Sequence, residues 1–175
     1  MQNYTATLRE LLDRCTPLLL SLSPELTIFR PAPDKWSRQE ILGHLIDSAS
    51  NNHRRFVEGQ FRDDLVVVGY DQDAWVRSQP YQRSPGADLV ALWQGLNWHL
   101  VRVMESVPDS TRIRPRPKHN LAEIGWKVSP TDPATLDFIM HDYVVHLQHH
   151  LRQILGPVVD QIVADATPAD SPGSE

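Results

Sequence analysis

The sequence predicts an all-α protein, a four-helix bundle whose helices are joined by long crossover loops. Apolar residues recur at helical spacing in four separate stretches, and proline-rich or polar segments divide these stretches from one another. The chain of 175 residues has the length of one ordinary domain. We therefore expect a single domain over residues 1–165, followed by a flexible tail over residues 166–175 that is rich in small and polar residues.

The first helix is predicted over residues 4–22, where leucines and one cysteine follow the i, i+3, i+4 pattern of a buried face. Pro17 lies within this stretch and removes a backbone donor, so we expect a kink near Arg14 or an earlier break. The prolines at positions 31 and 33 then require a connecting loop before Trp36.

The second helix is predicted to begin at Arg38, because Ser37 and Glu40 have the spacing of a capping box. Its apolar stripe continues to about Gly59. Residues 60–84 lose the helical period, and the valines at 66–68 are too few for a sheet, so this segment is predicted as a long ordered loop.

Two further helices follow. Ser84 and Pro85 offer an N-cap and a first-turn proline for the third helix, whose apolar period continues to Pro108. A second long loop is expected from there to residue 130, and Asp132-Pro133 then opens the fourth helix. Gly156-Pro157 is expected to end or bend that helix.

Composition excludes several functional classes. With 41% hydrophobic and 22% charged residues the chain can bury a core, and we expect neither global disorder nor a membrane association. The formal net charge of −5 provides no basic face for nucleic acid. The single cysteine, Cys15, cannot form an internal disulfide, and we expect no secretory leader, so a cytoplasmic location is predicted.

The eight histidines are the most informative residues, because four of them lie between positions 141 and 150. Side chains in a helix turn by about 100° per residue. On this basis His150 lies within the apolar stripe of the fourth helix and His146 on its flank, whereas His141 and His149 point away from it. The i, i+4 spacing of His146 and His150 suits one shared metal ion, although two core imidazoles with ordinary hydrogen bonds would give the same pattern.

The second helix carries a possible third ligand, His44, at the edge of its apolar face, and a polar row that includes Ser48, Asn51 and Arg55. This row could line a cavity or form a solvated helix face. Asn51 and Arg55 are our candidates for contacts with a polar cofactor, since a guanidinium binds carboxylates well.

Other side chains near these histidines are weaker candidates. Asp47 and Gln153 lie one turn from His44 and His150 and could orient the imidazoles. No role is assigned to His53, His99, His119, His141 or His149.

Three segments resemble the DinB-like superfamily of metal-binding four-helix bundles. They are WSRQEILGHLID at 36–47, YDQDAW at 70–75 and HLQHHLRQI at 146–154. The resemblance spans nearly the whole chain and implies a metal triad of His44, His146 and His150. Three neutral imidazoles suit zinc, nickel, iron or cobalt, and a site with three protein ligands leaves a position for water or substrate.

The segments are most similar to the bacillithiol-transferase and mycothiol-dependent branches of this superfamily. That similarity implies a metal-dependent enzyme that activates a low-molecular-weight thiol, or water, for attack on an electrophilic small molecule. It also implies a possible homodimer. Two other hypotheses remain open at this stage: a non-catalytic metal-binding stress-response protein, and a bundle that holds no ion.

Overall fold

The computed structural model describes residues 4–166, and this part of the chain is helical with no strands. Its α-helices are α1 (Tyr4–Leu20), α2 (Pro24–Ile28), α3 (Arg38–Phe61), α4 (Gln72–Ser78), α5 (Gly86–Ser106), α6 (Asp109–Arg112), α7 (Leu136–Leu155) and α8 (Val158–Ala166). Two 3₁₀ turns lie at Tyr81–Arg83 and Ala122–Ile124. None of the helices in residues 4–166 is long and apolar enough to cross a membrane.

The four long helices α1, α3, α5 and α7 form the predicted four-helix bundle. Helix α1 packs against α5 and α7, and α3 packs against the same two helices. Helices α1 and α3 therefore occupy diagonal positions, as do α5 and α7. The connections over residues 21–37 and 107–135 must each cross the bundle, which explains why both are long.

The core is filled by the apolar stripes that the sequence predicts. Leu8, Leu11 and Leu12 of α1 are fully buried, and Trp93 of α5 and Tyr143 of α7 are the bulkiest aromatic residues at the centre. Helix α8 closes one side by packing against α1 and α7. The tail predicted for residues 166–175 lies outside the described residues, except that Ala166 is the last residue of α8.

Helix α3 begins where its capping box predicts. The Ser37 hydroxyl accepts a hydrogen bond from the Glu40 amide at 3.1 Å, and the Ser37 amide donates to Glu40 Oε2 at 2.9 Å. Arg30 also pairs with the Glu40 carboxylate. These contacts fix the start of the helix that carries His44 two turns later.

Several predicted boundaries were wrong. Helix α1 passes through Pro17 without a break and ends at Leu20 rather than 22, and α3 continues to Phe61 rather than ending near Gly59. Helix α5 begins at Gly86 with no side-chain cap, because the Ser84 hydroxyl donates to Pro80 O instead.

The start of α7 and the content of both loops also differ from the prediction. Helix α7 begins at Leu136, where Thr135 caps the amide of Phe138, and not at Asp132-Pro133. The segment 60–84 contains α4, which Asp71 caps, and the segment 108–130 contains α6. Such short helices have too few turns to show an apolar period.

The long connection between α5 and α7 is tied to the end of α3 by Arg116. This arginine is 1% exposed and donates to Gly59 O at 2.6 Å. Helix ends leave unpaired carbonyl groups, and a guanidinium satisfies them well. The contact positions the loop that supplies Trp126 to the site described below.

Candidate metal centre

Three histidines from two helices meet inside the bundle. His44 comes from α3, and His146 and His150 come from successive turns of α7. The Nε2 atoms of His44 and His146 are 3.2 Å apart, and the His150 ring centroid lies 4.7 Å from that of His44 and 4.5 Å from that of His146. One potential ligand nitrogen from each ring lies within 4.8 Å of the other two.

Burial keeps these imidazoles neutral. His44 is 1% exposed, and burial, followed by the neighbouring His150, lowers its pKa from 6.5 to about 4. Burial and then the charges of His150 and His44 lower the pKa of His146 to about 3. Burial is also the main cause that lowers the pKa of His150. All three rings therefore have a free lone pair at neutral pH, as metal ligands require.

Gln153 orients one of the three rings. His150 Nδ1 lies 3.0 Å from Gln153 Oε1, which only accepts hydrogen bonds, so the ring proton is on Nδ1. The lone pair is then on His150 Nε2. Hydrogen bonds of this kind to the second imidazole nitrogen are typical of metal-binding histidines.

His44 directs its Nε2 toward the other triad rings, 3.2 Å from His146 Nε2. Its Nδ1 is buried and has no hydrogen-bond partner in the described part of the chain, while the ring packs on Trp36 with centroids 5.0 Å apart. An ion bound at Nε2 would leave Nδ1 without a partner, and a buried polar atom without a partner costs free energy. Three neutral imidazoles with one nitrogen each within 4.8 Å of the other two are the donor set expected for a first-row divalent cation.

A polar cavity of about 320 Å³ lies beside His44 and His146. Helix α3 contributes a row of polar side chains, α7 contributes Asp142 and Tyr143, and two loops complete the wall. The lining residues that matter for the chemistry are Ser48, Asn52, Arg55, Tyr70, Gln72, Trp126, Asp142 and Tyr143. A ligand in this cavity would contact His44 and His146 directly.

A second cavity, of about 590 Å³, lies beside His150 and Gln153. Phe29, Trp36 and Ile41 give it an apolar wall. Because the His44 ring contacts both Trp36 and His150, the triad lies between the two cavities. One cavity is predominantly polar, and the other offers aromatic surface.

The structure brings Arg55 to the polar cavity but not Asn51. The amide of Asn51 donates to Asp47 O in its own helix at 2.9 Å, and Asn52 takes the place on the cavity wall that we expected for Asn51. Asp47 does not orient His44, since its Oδ1 accepts from Tyr81 OH and from Gln79 Nε2, both at 2.8 Å.

Sequence reasoning missed Trp126 and Asp142 as cavity residues. Trp126 lies in a loop without periodicity and carries no signal of its position. Asp142 could have been found, because it lies one turn before His146 on the same helix.

The remaining histidines do not join the triad. His53 and His99 form a separate pair on α3 and α5, with their Nε2 atoms 3.2 Å apart. His141 and His149 are exposed, as the helical angles predict. His119 Nε2 lies 2.8 Å from Asp132 O in the long loop.

Comparison with known proteins supports the same family. The fold is similar to that of YfiT from Bacillus subtilis, described as a probable metal-dependent hydrolase with an unusual four-helix bundle topology. The TM-score is 0.70 at 17% identity, over 93% of this chain and 85% of YfiT. No curated protein matches the sequence. The family model of the DinB superfamily matches residues 7–154, and the chain belongs to this superfamily.

Proposed function

We propose that this protein is a metal-dependent enzyme that transfers the sulfur of a small thiol to an electrophilic small molecule. His44, His146 and His150 would hold one divalent zinc, nickel, iron or cobalt ion. The observation that carries the proposal is the convergence of three neutral imidazoles between two cavities, with His44 and His146 on the wall of the polar one. When bound, such an ion lowers the pKa of a coordinated thiol or water and so supplies a nucleophile at neutral pH.

The chain's own thiol is unsuited to the role of nucleophile. Cys15 is fully buried in α1, and burial raises its pKa to about 12. A thiol of this kind stays protonated and behaves as a packing residue. The reactive sulfur must therefore enter from outside, and the polar cavity beside His44 and His146 would receive it.

The residues of the chain would position the reactants. Gln153 fixes the His150 ring, and Trp36 packs on the ring of His44. The apolar wall of the second cavity would hold an electrophile with aromatic or aliphatic character on the other side of the triad. Two cavities at one centre favour a reaction with two substrates, because each can be bound in a fixed orientation.

The test uses metal-free protein loaded with each of the four ions in turn. The substrates are L-cysteine and 1-chloro-2,4-dinitrobenzene, whose thioether product absorbs light. A sulfur–carbon bond forms, the carbon–chlorine bond breaks, chloride leaves, and the thiol proton passes to the buffer. We expect about one ion per chain and a rate that needs both the ion and the protein.

The matched variants are His146→Ala and His141→Ala. Both histidines are on α7, but His141 is exposed and outside the triad. We expect His146→Ala to lose metal and activity and His141→Ala to keep both. Equal rates in these two loaded variants would refute the enzymatic proposal, and bound metal without turnover would support a non-catalytic metal-binding protein instead.

Hydrolysis is the second candidate, favoured by the description of YfiT. The same loaded protein would then release nitrophenolate from p-nitrophenyl acetate in the absence of thiol. A metal-dependent release that thiol does not accelerate would assign water, rather than sulfur, as the nucleophile.

A further inference from the structure

The polar cavity contains a guanidinium group with no anionic partner. Arg55 Nη2 donates to Val68 O at 3.0 Å and Nη1 donates to Asn52 Oδ1 at 3.3 Å. Both acceptors are neutral, and Arg55 Nε is buried without a hydrogen-bond partner among residues 4–166. The guanidinium also lies over the Trp126 ring, 5.6 Å from its centroid. Arg55 is thus held in place, but its charge is not compensated by a carboxylate of the described chain.

The same cavity contains a carboxylate with no cationic partner. Asp142 lines the wall one turn before His146, is half-buried, and forms neither a hydrogen bond nor a salt bridge within the described residues. Besides burial, the exposed side chain of the adjacent His141 also acts on the pKa of Asp142, in the opposite direction. Burial raises the pKa of Asp142 and lowers that of Arg55, so each charge is costly at its position in the cavity wall.

Arg55 and Asp142 do not pair with each other, although an arginine and an aspartate in contact would readily do so. They lie on different helices, α3 and α7, and face one cavity of about 320 Å³. A cavity with separated opposite charges is complementary to a ligand with separated opposite charges. Its volume is within the range of small-molecule sites, about 300–1,000 Å³.

We propose that the polar cavity selects a zwitterionic thiol of the α-amino acid type, with Arg55 binding its carboxylate and Asp142 its ammonium group. The thiol in this inference rests on the proposed function, whereas the binding of a carboxylate by Arg55 and of an ammonium group by Asp142 does not depend on it. The sulfur would lie toward His44 and His146, on the same wall as Ser48. The cavity would then discriminate against thiols that lack either charge, because a buried charge would be left unpaired.

The first experiment measures binding without metal and without a reactive thiol. S-methyl-L-cysteine has both charges, 2-(methylthio)ethylamine lacks the carboxylate, and 3-(methylthio)propionate lacks the ammonium group. We expect calorimetric titration of the metal-free protein to show about tenfold or greater preference for S-methyl-L-cysteine, as the loss of a hydrogen bond to a charged group predicts.

The variants assign each charge to its residue. In Arg55→Gln the preference for S-methyl-L-cysteine over 2-(methylthio)ethylamine is expected to disappear, while the preference over 3-(methylthio)propionate remains. Asp142→Asn is nearly isosteric and should show the reverse pattern. Arg54→Gln is the control, since Arg54 is the adjacent arginine, exposed and paired with Glu58. We expect it to bind all three compounds as the unaltered protein does.

Arg55→Lys is the second variant in case Arg55→Gln does not fold. It keeps the positive charge but loses the planar donor pair of the guanidinium. If Arg55→Gln fails to fold, Arg55→Lys should still show a reduced preference for the carboxylate, with an unchanged unfolding midpoint. An unchanged preference in a folded Arg55→Lys protein, together with unchanged binding by Asp142→Asn, would overturn the proposal.

The second experiment compares three thiols as substrates of the metal-loaded protein: L-cysteine, cysteamine and 3-mercaptopropionate. We expect L-cysteine to have the highest kcat/KM by about tenfold, with the difference residing mainly in KM. Equal kcat/KM values for the three thiols would refute the zwitterion proposal and leave thiol transfer intact. Selective binding of S-methyl-L-cysteine without turnover of any thiol would refute thiol transfer and leave the zwitterion proposal intact.

Discussion

Gly43 permits the close packing of Tyr81 on α3, one residue before His44. A Cβ atom at position 43 would lie 2.2 to 2.6 Å from three atoms of the Tyr81 ring. The Tyr81 hydroxyl donates to Asp47 at 2.8 Å and its ring is buried. Gly43→Ala would therefore require the ring to move by about 1 Å to reach an ordinary van der Waals separation, which starts near 3.4 Å.

The size of the effect can be worked out from three contributions. Replacing glycine by alanine inside a helix stabilises it by about 1 kcal/mol. Overpacking a well-filled site costs about 1–3 kcal/mol. Displacing Tyr81 also weakens a buried hydrogen bond to Asp47, worth about 1 kcal/mol or more. We expect Gly43→Ala to lower the free energy of unfolding by about 1–3 kcal/mol, although alanine has the higher helix propensity.

Gly95 provides the matched control. It lies in the middle of α5, and a Cβ atom there would meet nothing within 4 Å. Gly95→Ala should therefore raise the free energy of unfolding by about 1 kcal/mol, or about 2–4 °C in Tm. Urea unfolding followed by circular dichroism measures both variants. If Gly43→Ala stabilises the protein as Gly95→Ala does, the contact between Gly43 and Tyr81 does not constrain the fold.

Three further predictions concern the site and its support. Gln153→Ala should weaken metal binding by about 10–100-fold, because His150 loses the hydrogen bond that orients it, and competition with a chromogenic chelator measures this. Tyr81→Phe should cost about 1–3 kcal/mol in urea unfolding, because the buried Asp47 carboxylate loses a donor. The metal-free protein should lose stability as pH falls from about 6.5 to 4. The pKa of His44 is 6.5 in the unfolded chain and about 4 in the folded protein, so over this range the unfolded state binds a proton that the folded state does not. His44→Gln should show a smaller loss over the same range, and an equal loss would assign the pH dependence to other groups.

The bundle was predictable because its four long helices have continuous apolar stripes and one strong start signal. Ser37 and Glu40 identified the first residue of α3, since both reciprocal hydrogen bonds depend only on local sequence. The weaker start signals failed. Helix α7 is capped by Thr135 and not by Asp132, and the Ser84 hydroxyl donates to Pro80 O rather than capping α5.

The convergence of the three histidines was predictable in part because helical geometry relates His146 and His150 directly. The pairing of α3 with α7, which brings His44 to them, depends on tertiary packing and came from the family resemblance. The polar row was harder to resolve. Asn51 and Asn52 differ by one position, and only the packed structure shows that Asn52 lines the cavity.

Loop residues at the site could not be predicted from periodicity at all. Trp126 reaches the cavity because the connection between α5 and α7 crosses the bundle, and Arg116 of this connection hydrogen-bonds to the end of α3. The sequence around it shows prolines and scattered charges, which indicate a loop but not its course. The direction of such a loop depends on buried polar contacts between distant residues.

The buried polar row of α3 lowers the stability of the fold, and packing alone does not offset this loss. His44, Ser48 and Asn52 are each at most 5% exposed and lie on one side of a helix inside a bundle. An apolar residue at position 44 would fill the space without leaving a buried imidazole nitrogen unpartnered. Natural sequences retain such conflicts between local rules and stability mainly at functional sites. If His44 has only a structural role, His44→Leu should raise the stability of the metal-free protein and leave metal binding unchanged. If it is a ligand, the same substitution should raise stability only in the absence of metal and abolish the additional stability that zinc confers.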